Sequence, residues 1–132
     1  MKKVWSKSWK ASTQKRKQRK YLYKAPLNIK HKMLGAPLSK ELRAIYKTRT
    51  VTVRTGDTVK VKVGQFKGKV GKITKVTLKN LKVYVEGAII KRNDGTEGMY
   101  PIVPSNLEIL KLDLSDRLRQ EKLEVIKKNG TQ

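Results

Sequence analysis

The 132 residues contain no cysteine, so neither a disulfide framework nor a thiolate metal site can be built. Histidine is nearly absent as well. His31 is the single one, set between Lys30 and Lys32, and nothing near it in sequence would orient it as a general base; contact with phosphate suits those neighbours better. Acids are scarce: 10 Asp and Glu stand against 33 Lys and Arg, and none precedes Glu41. Asp57, Asp94 and Glu97 fall where turns are expected and form no carboxylate pair. No apolar run approaches the ~18 residues of a membrane span. The first twenty residues lack the apolar segment of a secretory signal, and they are rich in Lys where a mitochondrial presequence favours Arg, so they read as part of the working protein. The segment Gly64-Gln65-Phe66-Lys67-Gly68-Lys69 misses the nucleotide-binding P-loop pattern, with three residues between its glycines instead of four and Val70 where Ser or Thr should hold magnesium. Asn129-Gly130-Thr131 matches a glycosylation sequon by chance. No catalytic set, metal site or cofactor site is expected, and the chain reads as a protein that is not an enzyme.

What is present is positive charge. The formal net charge of +23 lies far beyond the magnitude of ~2–8 that keeps a small domain soluble. Such an excess repels itself unless a polyanion neutralises it, and nucleic acid is the first candidate. Residues 1–50 hold sixteen basic groups and one acid, residues 51–110 eleven and five, residues 111–132 six and four. Two thirds of the surplus therefore precedes residue 51. Residues 1–24 carry ten basic groups, no acid and little aliphatic content, too polar for a core of their own, and the sequence predicts disorder for them in isolation.

Aromatics are interleaved in this arm. Trp5 and Trp9 sit four apart among Lys7 and Lys10, and Tyr21 and Tyr23 follow the cluster Lys15, Arg16, Lys17, Arg19 and Lys20, with Lys24 just beyond. Stacking on an RNA base contributes ~1–3 kcal/mol; anchoring on a neighbouring protein accounts for the rings equally well.

Past Pro26 come short apolar clusters, and Pro26 and Pro37 confine any continuous helix to the space between them. Leu38, Leu42, Ile45 and Tyr46 then fall at i, i+4, i+7 and i+8, which predicts a short helix near 38–47 with Ser39 as its N-cap and Glu41 favouring the helix dipole. From Thr48 the chain reads as all-β, with candidate strands at 50–53, 58–63, 69–78, 82–85, 88–91, 98–102 and 107–110. Pro101 and Pro104 must then lie at a sheet edge or strand end, and Asn93-Asp94-Gly95 suits a type I′ hairpin. Short, closely spaced strands of this kind predict a small, partly open barrel. Residues 113–128 carry weaker helical periodicity, with Leu114, Leu118 and Val125 on one side, Asp113 or Ser115 as start and Gly130 as stop, and they predict a solvated helix lying along the barrel or a neighbouring surface. The division is a basic extension at 1–47, a barrel at 48–112 and a tail at 113–132.

The most telling segment is 56–76, GDTVKVKVGQFKGKVGKITKV. Val59, Val61 and Val63 alternate with polar residues, then Gly64, Gly68 and Gly71 break the run among Lys67, Lys69 and Lys72. Glycines permit positive φ and close approach of another surface, so a lysine-rimmed loop of this kind suits a phosphate backbone. The pattern resembles the KOW motif, carried on SH3-like barrels in ribosomal proteins and transcription elongation factors. APLNIKHKMLGAPLSKELRAIY at 25–46, VEGAIIKRNDGTEG at 85–98 and PIVPSNLEILKL at 101–112 are similar, in order and spacing, to the universal large-subunit ribosomal protein twenty-four family in its archaeal and eukaryotic type, called twenty-six in eukaryotes. The roughly fifty residues ahead of the motif set the chain apart from the bacterial type. The resemblance implies an SH3-like KOW barrel and a structural protein of the cytoplasmic large subunit. It would bind the 5′ region of the large rRNA early in assembly, near the peptide exit tunnel, beside ribosomal proteins including the universal large-subunit protein twenty-nine. The expected RNA contacts comprise Trp5, Trp9 and the arm cations named above, Lys30, His31, Lys32, Lys40, Arg43, Lys67, Gly68, Lys69, Lys72, Lys91 and Arg92. The alternative is a KOW-bearing elongation factor or another nucleic-acid-binding protein outside the ribosome. Such a factor would need a separate mixed α/β domain, for which the first fifty residues are too basic and too broken by proline.

Overall fold

Valine alternation produces a strand through Val59 and Val61 but stops short of Val63, which lies exposed beyond its end. The computed structural model of the chain describes residues 4–129. Seven strands form: β1 Gly35–Pro37, β2 Thr50–Thr52, β3 Thr58–Val61, β4 Val70–Thr77, β5 Lys82–Lys91, β6 Glu97–Ile102 and β7 Leu107–Lys111. All pair antiparallel, β1 with β2 and the others in the order β6-β5-β4-β3-β7. In β3, Val59 and Val61 point inward while Lys60 is exposed, the period-two pattern of a half-buried strand. They meet Ile73, Val83, Val85, Ile102, Leu107 and Ile109 in one core. Each such side chain contributes roughly 1.5–3 kcal/mol on burial.

The five-stranded ladder is open, with β6 and β7 as its edges. Pro101 lies in edge strand β6, where the missing N–H costs no central bond, and Pro104 opens a 3-10 helix at Pro104–Asn106. Candidate strands 82–85 and 88–91 are one strand: Gly87, at φ +77°, absorbs the register shift between Tyr84 and Ile89 and lets the ladder resume. The Asn93-Asp94-Gly95 turn is not type I′. That turn needs positive φ at both central residues, whereas Gly95 has it and Asp94 does not. Asp94 Oδ1 accepts instead from the Thr96 N–H (3.0 Å) and hydroxyl (2.7 Å).

Three helices precede β2: α1 Lys15–Lys24, α2 Leu27–Met33 and α3 Lys40–Tyr46. α3 follows its expected stripe, with Leu38 buried, Leu42 and Tyr46 against the core, and Ser39 Oγ accepting from Leu42 N (3.4 Å); Ile45 is left exposed. Leu34, Ala36 and Leu38 belong to the same core as the five-stranded sheet, and a parallel bridge joins Leu38 to Ile109.

The C-terminal helix, α4 Arg117–Asn129, is present but turned from the expected face. Leu123 and Arg119 are its buried residues, whereas Leu118 is 69% and Val125 55% exposed, and Leu114 before it is exposed too. Its start is capped by Asp116, whose Oδ1 accepts from Leu118 N (3.1 Å), and Asp113 caps Ser115 N instead (3.0 Å). The expected Gly130 stop and the sequon lie outside the described residues.

Candidate nucleic-acid interface

Lysine, arginine and glutamine are good helix formers, and they carry the arm where no apolar period is present. A 3-10 helix at Lys7–Ala11 precedes α1, and neither contains a buried residue. This order replaces the featureless arm that the sequence predicts. Its source is aromatic: Trp5 Nε1 donates to Tyr21 O (3.0 Å), the two rings stack with centroids 5.4 Å apart, and Lys20 Nζ lies 5.5 Å from the Trp9 ring centre. Trp5, expected to meet RNA or a neighbouring protein, packs within its own arm, and Trp9 already has a cation over its ring. Tyr23, 73% exposed, is the free ring. Lys15, Arg16 and Lys17 crowd the N-terminal turn of α1 with no acid beside them. Cations there oppose the helix dipole, and phosphate would relieve both the repulsion and the dipole.

Lys30, one of the expected RNA contacts, is turned inward. It is 6% exposed, and its Nζ donates to Tyr23 O (3.0 Å) and Lys79 O (3.2 Å), tying α2 to the arm and to the turn after β4. His31 and Lys32, next along the helix, are exposed, as is Lys40. Arg43 is half-buried and donates through Nε to Leu38 O (2.8 Å). It borders a shallow groove of about 390 Å³ with Lys47 and Arg49, two cations the sequence reading passed over. Their signal was positional, since cations gather favourably at a helix C-terminus.

The glycine loop joins β3 to β4. Gly68 N donates to Val61 O (2.8 Å) and Val61 N to Lys69 O (2.8 Å), so the hairpin is closed by backbone bonds, and Lys67 stands exposed. Gly64 (φ +107°) and Gly68 (φ +89°) occupy the left-handed region, and a Cβ on either would meet open space. Gly71 is different. It lies inside β4, where a Cβ would come 2.7 Å from Glu86 O, so it serves the approach of β5 rather than the loop. Lys69 turns back on the protein, donating to Gly87 O with Nζ 5.8 Å from the Phe66 ring, while Phe66 packs against Tyr100. Lys67, Gly68 and Lys72 remain open to a ligand. Gly68→Val should then cost about 1–2 kcal/mol through φ alone, with thermal unfolding and rRNA affinity both reduced; identical melting and identical affinity would show the loop indifferent to that residue.

Lys91 and Arg92 mark the β5–β6 hairpin, with Lys91 Nζ 3.9 Å from Glu97. The four aspartates are engaged within the protein. Asp57 is fully buried and accepts both guanidinium nitrogens of Arg119, at 2.6 and 2.7 Å. Asp116 pairs with Arg54, whose hydrogen bond lowers the carboxyl pKa. Asp94 is lowered by the Thr96 hydroxyl and Asp113 by the Ser115 N–H. Each of these three favours the fold above the ordinary value of 3.8, and that effect fades as pH falls through its lowered pKa. Among the described residues no group of three or more His, Asp or Glu is placed to hold a metal, and no helix is long and apolar enough to cross a membrane.

The model of a protein family described as ribosomal proteins, L26 in eukaryotes and L24 in archaea, matches residues 12–125. The match takes in α1, both sheets and most of α4; Trp5 and Trp9 precede it.

Proposed function

From the premise that the chain belongs to the L26 and L24 family of eukaryotic and archaeal ribosomal proteins, we propose that it is held in the large subunit by direct contact with large-subunit rRNA. It is a ribosomal protein, a part of the ribonucleoprotein that carries out translation, and members of the family serve in general as structure rather than as catalysts. The observation that carries the rRNA reading is the charge of the first fifty residues, where sixteen cations stand against one acid. A functional division at residues 47 and 112 follows. The extension 1–47 grips phosphates through Lys7, Lys10, Lys15, Arg16, Lys17, Arg19, Lys20, Lys24, Lys32, Lys40 and Arg43, with His31 beside them. The sheet at 48–112, an SH3-like KOW barrel left open at one seam, presents Lys67, Gly68 and Lys72, while Lys91 and Arg92 add a second hairpin. The tail 113–132 braces the sheet.

Binding the 5′ region of the rRNA early in assembly suits a protein whose arm gains most of its contacts from RNA. A position near the peptide exit tunnel beside the universal large-subunit protein twenty-nine, in cytoplasmic ribosomes, completes the reading. A transcription factor is not favoured, since the matched family is ribosomal.

Neutralised phosphates release counterions, so affinity should fall with salt. With about ten phosphates contacted, the log–log slope in filter binding to a large-subunit rRNA fragment is expected at about −7 to −9. A slope near −2 would contradict the reading, as would failure of the protein to sediment with the large subunit at moderate salt.

A further inference from the structure

Between the arm and the body lies a cleft of about 740 Å³ that the described residues leave unfilled. Its walls are largely apolar: Tyr21 and Leu22 from α1, Met33 from α2, Leu81 from the β4–β5 turn and Val103 just after β6. Leu22 and Val103 are 49% and 38% exposed, so no described residue covers them. Two cations, Lys10 and Lys32, also border the space, and no acid does. No acid occurs anywhere in the first forty residues.

The best-matched occupant is therefore apolar where it enters and anionic around its point of entry. A hydrophobic side chain from a neighbouring protein meets the first condition but brings no anion by itself. A nucleobase swung out of its stack meets both, because each base is a π surface joined to phosphates on either side. Polar groups for its edge are in place: Gln18, whose amide nitrogen donates to Ser12 O (2.6 Å), keeps its carbonyl as an acceptor, and Ser105 contributes a hydroxyl. The volume falls in the ~300–1,000 Å³ range of pockets that enclose small ligands. We infer that this cleft receives a single unstacked base of the rRNA, with its flanking phosphates on Lys10 and Lys32. The inference rests on the rRNA reading above and adds a contact that reads RNA shape, where the cations read only charge.

Filling the cleft tests it. Ser105→Trp closes the space from the sheet side and Leu22→Trp from the arm side, and neither removes a cation. Affinity for the rRNA fragment, its salt slope and the chemical reactivity of unpaired bases would be measured for the wild type and both variants, with circular dichroism to confirm folding. Each variant should bind about ten-fold more weakly, as loss of one stacked base predicts, with an unchanged salt slope. One base protected by the wild type should become reactive again in both. Equal affinity and equal protection in either folded variant would overturn the inference, giving the cleft to a protein neighbour while leaving rRNA binding intact. Absence of rRNA binding by the wild type itself would remove the reading on which the cleft's role depends.

Discussion

Deleting residues 1–24 will leave the sheet folded and weaken rRNA binding on the order of 10³-fold at 0.15 M salt, with a clearly shallower salt slope. The deletion removes ten cations and no acid. Stability should hardly change, because neither helical segment of the arm contains a buried residue and the Trp5–Tyr21 stack lies inside the removed piece. The body loses one hydrogen bond, from Lys30 Nζ to Tyr23 O, while Lys30 keeps Lys79 O; the cost is about 1 kcal/mol. Folding and binding thus separate, and thermal unfolding beside filter binding reads both. If the truncated chain binds as tightly as the intact one, the arm is not the grip. If instead it fails to fold, the arm is a structural element and its charge is secondary.

How far the sequence foretold this arrangement depends on the range of the interaction concerned. Strands β3 and β7 were legible because burial of alternate apolar residues, Val59 with Val61 and Leu107 with Ile109, is a local, period-two signal. Helix α3 was legible for the same reason at a period of 3.6. β1, three residues ending at Pro37, has no pattern of its own and exists through its pairing with β2. α1 has no apolar period and was missed; the Trp5 hydrogen bond that ties it down spans sixteen residues. The face of α4 was misjudged because leucines and valines were taken as its anchor, whereas the helix turns a buried arginine and Leu123 inward. In the candidate site, the excess of cations is plain from composition. Which cations are free is not, since Lys30 and Lys69 are drawn inward by the carbonyls of Tyr23, Lys79 and Gly87, up to forty-nine residues away.

Replacing Arg119 by Ala should destabilise the protein by about 3–5 kcal/mol, a large share of the ~5–15 kcal/mol that holds a domain together. Asp57 has no exposed surface, and Arg119 meets both of its oxygens. The same guanidinium donates to Asp113 O (2.8 Å) and Thr52 O (3.2 Å), so one side chain joins β2, the turn before β3 and the segment leading to α4. Removing it strands a buried carboxylate that keeps only the N–H groups of Arg54 and Asp113, each at 2.9 Å. The Gly-Asp pair at the start of the glycine-loop motif takes its meaning from this geometry: a Cβ at Gly56 would fall 2.5 Å from Asp113 Oδ2, and Asp57 is the acid that holds the tail. Asp57→Ala combined with Arg119→Met should be milder than Arg119→Ala alone, because no unpaired charge remains buried. Denaturant unfolding of the three proteins decides the matter. A loss under about 1 kcal/mol for Arg119→Ala would mean that Asp57 finds water or another cation and that α4 is held by Leu123 instead. The expected loss, with the α4 signal melting together with the sheet, would make the C-terminal helix a brace for the strand that leads into the glycine loop.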